Sequence, residues 1–420
     1  MSFPIYSYTK SAEEYRRALK VIPSGIYGHQ GPAEGCFVPV GAFPFFSSRA
    51  RGSYFWDLDG NRFIDYMCAY GPNVLGYNDE EVDEAAAKQR EQGDCVTAPS
   101  VRMIDFAELL VDTVAGADWA FFAKNGGDAT TLAVITARAH TRRKKIVFFK
   151  GYYHGVTQWT QKIDYPGILE EDVANNLYVP WNDYDKLAEV FEEHRGEIAA
   201  VISQPYLHGN FADNELPAEG FWSKVRGLCT DTGTVLIVDD VRAGFRLDLA
   251  GSDHFFGFEA DLICFCKALA NGYNVSALCG KEFLKNTLSG VTFTGSYWLS
   301  AVPFAAGIAC IEKMKRLKLP EILHRKGTAL REGLIAAAEK HGYDLRVSGM
   351  PALFYLRLAD PEAPDPPGTP SLMLHQRWIA EMVKRGVYVT NHHNHFINSA
   401  LSDEDIKTTI EVADEAFSVL

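Results

Sequence analysis

The sequence predicts an α/β protein: a mostly parallel sheet in a large domain, with a smaller α+β lobe that closes the chain. Three observations carry this. The chain has 420 residues, 47% hydrophobic and 23% charged, enough for a large core and outside the range of disordered, collagen-like or coiled-coil chains. Between about Ala117 and Cys310, short β-type runs alternate with helical patterns. After about Leu317 come two long amphipathic helix patterns separated by short strand candidates.

Residues 53–66 hold two aromatic β runs around an Asp-Gly turn, a hairpin signal. The runs 120–123, 145–149, 198–202, 235–238 and 262–266 are nearly continuous in apolar residues, as expected of strands covered on both faces by helices. Residues 128–141 and 218–232 read as crossover helices between them. Residues 320–341 and 372–385 read as the helices of the closing lobe, and the five prolines of 360–370 as an exposed loop. The expected division is residues 1–70 as an N-terminal segment and hairpin joining the small lobe, 71–316 as the large domain, and 317–420 as the C-terminal small domain.

A net charge of −13, with no run of five basic residues, argues against nucleic acid and anionic membrane as partners, because polyanions need neutralising cations. A small molecule is expected instead. No signal-like apolar segment opens the chain and no uncharged stretch of eighteen apolar residues occurs, so a cytoplasmic protein is expected. The eight cysteines lack CxxC spacing and read as buried free thiols.

In an open α/β sheet, ligands bind beyond the carboxyl ends of the strands. After the first run comes Asn125-Gly126-Gly127 leading into a helix, where backbone N–H groups and the helix dipole favour an anion, or where the chain merely turns. After the second come Tyr152, Tyr153 and His154, aromatic rings for stacking or for packing. Asp239 and Asp240 end the fourth apolar run; a carboxylate there needs a cation or donor. Lys267 follows the fifth, either as a solvated end charge or as a desolvated amine able to form a Schiff base.

One ligand accounts for all four features. Pyridoxal 5′-phosphate needs an anion cradle, an aromatic face, a carboxylate at its pyridinium nitrogen and a lysine for its aldehyde. The residues also resemble the class III, fold type I pyridoxal-phosphate aminotransferases, most closely proteins similar to glutamate-1-semialdehyde aminomutase. The resemblance runs over nearly the whole chain and includes the segments 56–66, Tyr153-His154-Gly155, 239–246, Lys267 and 402–406. It implies that Lys267 is the Schiff-base lysine, Asp239 the partner of the pyridinium nitrogen, and Tyr153 and Val241 the packing on the two ring faces. It further implies that the smaller α+β lobe is drawn from both chain ends, that Asn125, Gly126 and Gly127 hold the phosphate, and that Thr292 reaches the phosphate of a neighbouring subunit in a homodimer with shared active sites.

The sequence departs from that family where substrate is bound. Gly127 stands at a usual hydroxyl position, Asp128 at a usual glutamate, and Gln204-Pro205 replaces a usual Glu-Pro. The N-terminal arginine of the aminomutase is absent from Ser24-Gly25-Ile26-Tyr27-Gly28-His29-Gln30, which removes a bidentate carboxylate partner. Tyr27, His29, Tyr70 (where the aminomutase has tryptophan), Gln204, His208, His392 and His393 are the candidate substrate residues. No carboxylate or cysteine at ligand spacing accompanies the histidines of 391–395, so no metal is expected. The reading is an aminotransferase moving an amino group from an amino acid donor to a ketone or aldehyde of a polar, weakly charged acceptor, such as an amino-sugar or aminocyclitol precursor. An aminomutase, epimerase or racemase of the same fold is the alternative, and a catalytically silent binding homologue a third.

Overall fold

The computed structural model describes residues 3–26, 42, 46–210, 212–359 and 370–420, with backbone alone for 359 and 370–373. Tyr27, His29, Cys36 and the proline-rich stretch 360–369 lie outside the described residues. The chain divides into two compact units. One comprises residues 80–207 and 215–320, the other residues 1–79, 208–214 and 321–420.

The first unit is built on a seven-stranded sheet. Its strands are β1 (Trp119–Ala123), β2 (Lys145–Phe149), β3 (Asn176–Val179), β4 (Ile198–Ser203), β5 (Val235–Asp239), β6 (Leu262–Phe265) and β7 (Ser276–Gly280). They lie in the order β1-β7-β6-β5-β4-β2-β3. All neighbours from β6 to β3 pair in parallel, while β7 runs antiparallel to both β1 and β6. Every residue of β4, β5 and β6 is buried, which explains their unbroken apolar sequence. The helix Gly126–Thr141 closes on the sheet through Ala129, Ala133 and Ala137, spaced four apart on one face and all buried. These methyl-sized side chains let the helix sit against Ile146, Phe148, Ile202, Ile237 and Cys264 of the same core. Packing of that density tolerates an added methylene poorly.

The second unit contains the expected hairpin. Tyr54–Asp57 and Arg62–Asp65 pair antiparallel, and Asp57 accepts from the backbone of Asp59 and Asn61 to close the turn. Val387–Tyr388 joins Arg62–Asp65 in parallel, so the two chain ends share one sheet. A second sheet has Leu353–Ala359 at its centre, paired antiparallel with Asp344–Met350 on one side and His395–Phe396 on the other. The helices Leu319–Lys340, Pro370–Lys384 and Asp403–Ser418 complete the unit. The segment 402–406 that carried part of the resemblance is a capping box. Asp405 accepts from the Ser402 backbone and hydroxyl, and Ser402 accepts from the Asp405 backbone.

Candidate active site

The site begins where β5 and β6 end side by side. Asp239, the last residue of β5, pairs in register with Cys264 of β6, and Asp240 N–H donates to the Cys264 carbonyl at 3.0 Å. Three residues beyond Cys264 the chain enters a short 3₁₀ turn at Lys267. Parallel pairing thus delivers an acid and an amine from two strand ends to one edge of the sheet.

Asp239 is buried and held by two donors. His154 Nδ1 donates to its Oδ2 at 2.6 Å, and Val241 N–H donates to Oδ1 at 3.1 Å. His154 is itself fixed by Thr130, whose hydroxyl donates to the His154 carbonyl at 2.8 Å, and by the Tyr152 ring stacked on its imidazole at 5.1 Å. The two tyrosines of this loop therefore separate: Tyr152 joins Phe148 and Tyr178 in an aromatic stack, whereas Tyr153 is 47% exposed. Buried Asp240 turns away from this pair to Ser252, accepting from its backbone and hydroxyl at 2.9 and 2.6 Å. Burial raises the Asp240 carboxyl to about 7.

Lys267 is densely surrounded and keeps a small solvent-accessible portion. Burial pushes its amine down to about 7, helped by the positive charge of Arg242, while the charge of Asp239 pulls it up. Its backbone φ of +41° lies in the left-handed region that few non-glycine residues adopt. The amine is therefore partly neutral at physiological pH and held in an imposed direction, as a nucleophile needs to be.

The glycine loop lies beside it. Cys266 Sγ faces the Lys124 carbonyl at 3.9 Å, bringing the lysine's neighbour against the turn that opens the helix Gly126–Thr141. The Asp128 carboxylate accepts from the backbone N–H groups of Lys124 and Asn125 at 3.2 and 2.8 Å, so the acid in the first turn caps the helix. Backbones crowd here: a Cβ on Gly126 would meet Val241 Cγ1 at 2.7 Å, and one on Gly155, whose φ is +113°, would meet Gly127 Cα at 2.8 Å. Gln204 is buried with its Nε2 3.5 Å from the Tyr153 carbonyl. Among the described residues, Gln204 Oε1 and His154 Nε2 are buried polar atoms without a protein partner. A close-approach glycine loop, an oriented buried acid, a low-pKa amine and these two orphaned atoms fit pyridoxal phosphate. Thr292 is exposed in the same unit.

The other candidates lie in the second unit. Tyr70 makes an edge contact with His393 at 5.5 Å and closes a run of left-handed residues, with φ of +48°, +54° and +66° at Cys68, Ala69 and Tyr70. His208 and His393 are buried and His392 is partly buried. Asn394, from the same cluster, donates to the carbonyls of His208 and Gly209 at 3.0 and 2.6 Å and accepts from Asn214 at 2.6 Å. His395 and His375 serve the backbone: His395 Nε2 accepts from Thr390 N–H at 3.0 Å, and His375 Nδ1 accepts from Leu358 N–H at 3.2 Å. Among the described residues no group of three His, Cys, Asp or Glu could hold a metal ion. His154 and Arg242 join the site without having been given a site role of their own from the sequence. Their signals were present, in the His after Tyr153 and the Arg after Val241, but only the fold shows which charges they meet.

Sheet order and strand-end chemistry together define a fold type I enzyme dependent on pyridoxal phosphate. The chain belongs to the class-III aminotransferases, whose family model matches residues 37–416. It is 41% identical to the aminopentol aminotransferase of Sphingopyxis macrogoltabida over 98% of this chain and 94% of that one. A glutamate-1-semialdehyde 2,1-aminomutase from Desulforamulus reducens is 31% identical over 98% of both chains. The solved PLP internal aldimine form of the FumI protein from Sphingopyxis sp. MTA144 has a TM-score of 0.92 and 41% identity, covering 98% of this chain and 96% of that one. The protein is a pyridoxal-phosphate-dependent aminotransferase.

Proposed function

We propose that this aminotransferase exchanges an amino group between an amino acid and the carbonyl of a hydroxylated, weakly charged compound. The observation that carries the residue assignments is the shared strand-end cluster of Lys267 and buried Asp239. The bound cofactor would supply an electron sink for the carbon that loses its proton. Asn125, Gly126 and Gly127 would hold its phosphate, Asp239 its ring nitrogen, and Tyr153 and Val241 its two faces. Lys267 would then be the group that takes and returns the proton at the substrate carbon, and His154 would hold Asp239 in direction and charge.

The substrate class draws support from the 41% identical relative named for an aminopentol. Tyr70, Gln204, His208, His392 and His393 are assigned to reading its hydroxyl groups, with Tyr27 and His29 as further candidates. The aminomutase reading is less well supported, since the aminomutase relative stands at 31% identity. A nitrogen-15 label in the donor decides between them: recovery in a second molecule supports transfer, and recovery in the starting skeleton supports a mutase.

A homodimer completes the proposal. Exposed Thr292, with Val101, Ile104, Phe121 and Tyr297 exposed in the same unit, offers the apolar surface that a second copy would cover. Light scattering at twice the chain mass is the expected result. The seven cysteines of the described residues are thiols and not disulfides, which suits a reducing cytoplasm.

A further inference from the structure

The turn assigned to the phosphate, Asn125-Gly126-Gly127, carries no hydroxyl, yet a buried hydroxyl without a protein partner lies on the strand beside it. We propose that Ser276 supplies this group: its Oγ donates to the cofactor phosphate, from a strand rather than from the loop. The proposal rests on the assignment of the phosphate to residues 125–127 above.

Strand order places the serine. β7 lies between β1 and β6, and Ser276, its first residue, pairs in register with Ala123, the last residue of β1. On the other side Ala277 pairs with Phe265, so the next step of that register sets Ser276 beside Cys266. Lys124 and Cys266 thus stand on the two sides of Ser276, and they meet across it: Cys266 Sγ lies 3.9 Å from the Lys124 carbonyl oxygen. The turn that leads into the helix Gly126–Thr141 therefore passes over the start of β7.

The hydroxyl lies on the face that this helix covers. Side chains alternate along a strand, so Ser276, Leu278 and Gly280 share a face. A Cβ on Gly280 would meet Trp119 and Leu262, and Leu278, Trp119 and Leu262 pack in one buried cluster with Ala129, Leu132 and Ala133 of the helix. The helix starts at the edge of the sheet where β1 ends and β7 begins, so its first turn is the part nearest Ser276. The residue is fully buried, and among the described residues its Oγ has no hydrogen-bond partner. An unmet hydroxyl in such a place is costly, whereas alanine would carry no such penalty. An anion held at the helix N-terminus satisfies it.

The experiment measures, by absorbance titration of the full-length apoprotein, the dissociation constants of pyridoxal 5′-phosphate and of pyridoxal, which lacks the phosphate. Ser276→Ala should weaken binding of the phosphorylated form on the order of tenfold and leave pyridoxal unchanged, since one hydrogen bond to a charged group is lost. Ser276→Gly, a second deletion of the hydroxyl, should do the same. A Cβ on Gly127 would meet Gly155 Cα at 3.6 Å and Val156 N at 3.7 Å, both ordinary contacts, so Gly127→Ser fits and should restore most of the affinity in the Ser276→Ala background. An unchanged ratio of the two constants in either Ser276 variant would overturn the proposal, as would equal losses for the two ligands, which mark a structural role. Failure of the underlying assignment looks different: the wild type itself would then bind the two ligands alike.

Discussion

Lys267 combines two costs that an ordinary surface lysine avoids. Its φ of +41° costs about 1–2 kcal/mol, and its ammonium is disfavoured by burial and by Arg242. Both are explained if a neutral, directed amine is what the site requires. Uptake of pyridoxal phosphate by the apoprotein should therefore speed up with pH through about 7 and level off above it. Below that point the rate should drop about tenfold per pH unit, as the amine protonates. A limb near the ordinary lysine value of about 10.4 would contradict this. Asp239→Asn should lower kcat on the order of 100-fold, by removing the fixed charge proposed to face the ring nitrogen. His154→Phe, which deletes the hydrogen bond at 2.6 Å, should lower it about tenfold with the cofactor still bound. Lys267 and Asp239 were legible because charge at the end of an apolar run is conspicuous. The bond between His154 and Asp239 was not, since 85 residues separate them and only the adjacency of strands brings them together.

The helix Gly126–Thr141 and the loop facing it act as one element. Gly155 holds a φ of +113° and approaches Gly127 so closely that a methyl group has nowhere to go. Gly155→Ala should destabilise the fold by about 2–3 kcal/mol and weaken cofactor binding at least tenfold, measured as thermal midpoint and by absorbance titration. Retained affinity with unchanged stability would show that the close approach is dispensable. The apolar strands were readable to within a residue or two, since burial on both faces leaves little choice of composition. β3 and β7 were less visible. β3 has four residues at a sheet edge, three of them not fully buried. β7 reads Ser-Ala-Leu-Cys-Gly, small residues chosen for fit: a Cβ on Gly280 would meet the Trp119 ring at 2.4 Å. The strand is a product of its neighbours rather than of its own propensity.

At the scale of the whole molecule, local pattern says least. The pairing of Val387–Tyr388 with Ile64–Asp65 joins segments that no window of sequence contains, and only the likeness to a known family made a lobe built from both chain ends an expectation. The histidine-rich stretch shows the same limit. Of the three histidines in five residues, His393 contacts the Tyr70 ring and His395 supports the backbone at Thr390, a division of roles that their spacing does not disclose. That support has a consequence for acid stability. Burial lowers His375 and His395 to about 3, so the folded state keeps both neutral while the unfolded chain protonates near 6.5. Stability is complete above that value and falls as pH drops toward 3, by about 2 kcal/mol for each histidine at pH 5. Buried Asp240, raised to about 7, protonates in the same window and offsets roughly one of the two histidines, so the urea midpoint should decrease between pH 7 and pH 5 more steeply in Asp240→Asn than in the wild type, and a flat midpoint in that variant would refute the assignment. The most direct test of the account as a whole is borohydride reduction of the yellow holoenzyme followed by peptide mapping. A phosphopyridoxyl group on the peptide containing Lys267, and nowhere else, is the predicted result; its attachment to another lysine would contradict the site described for this chain.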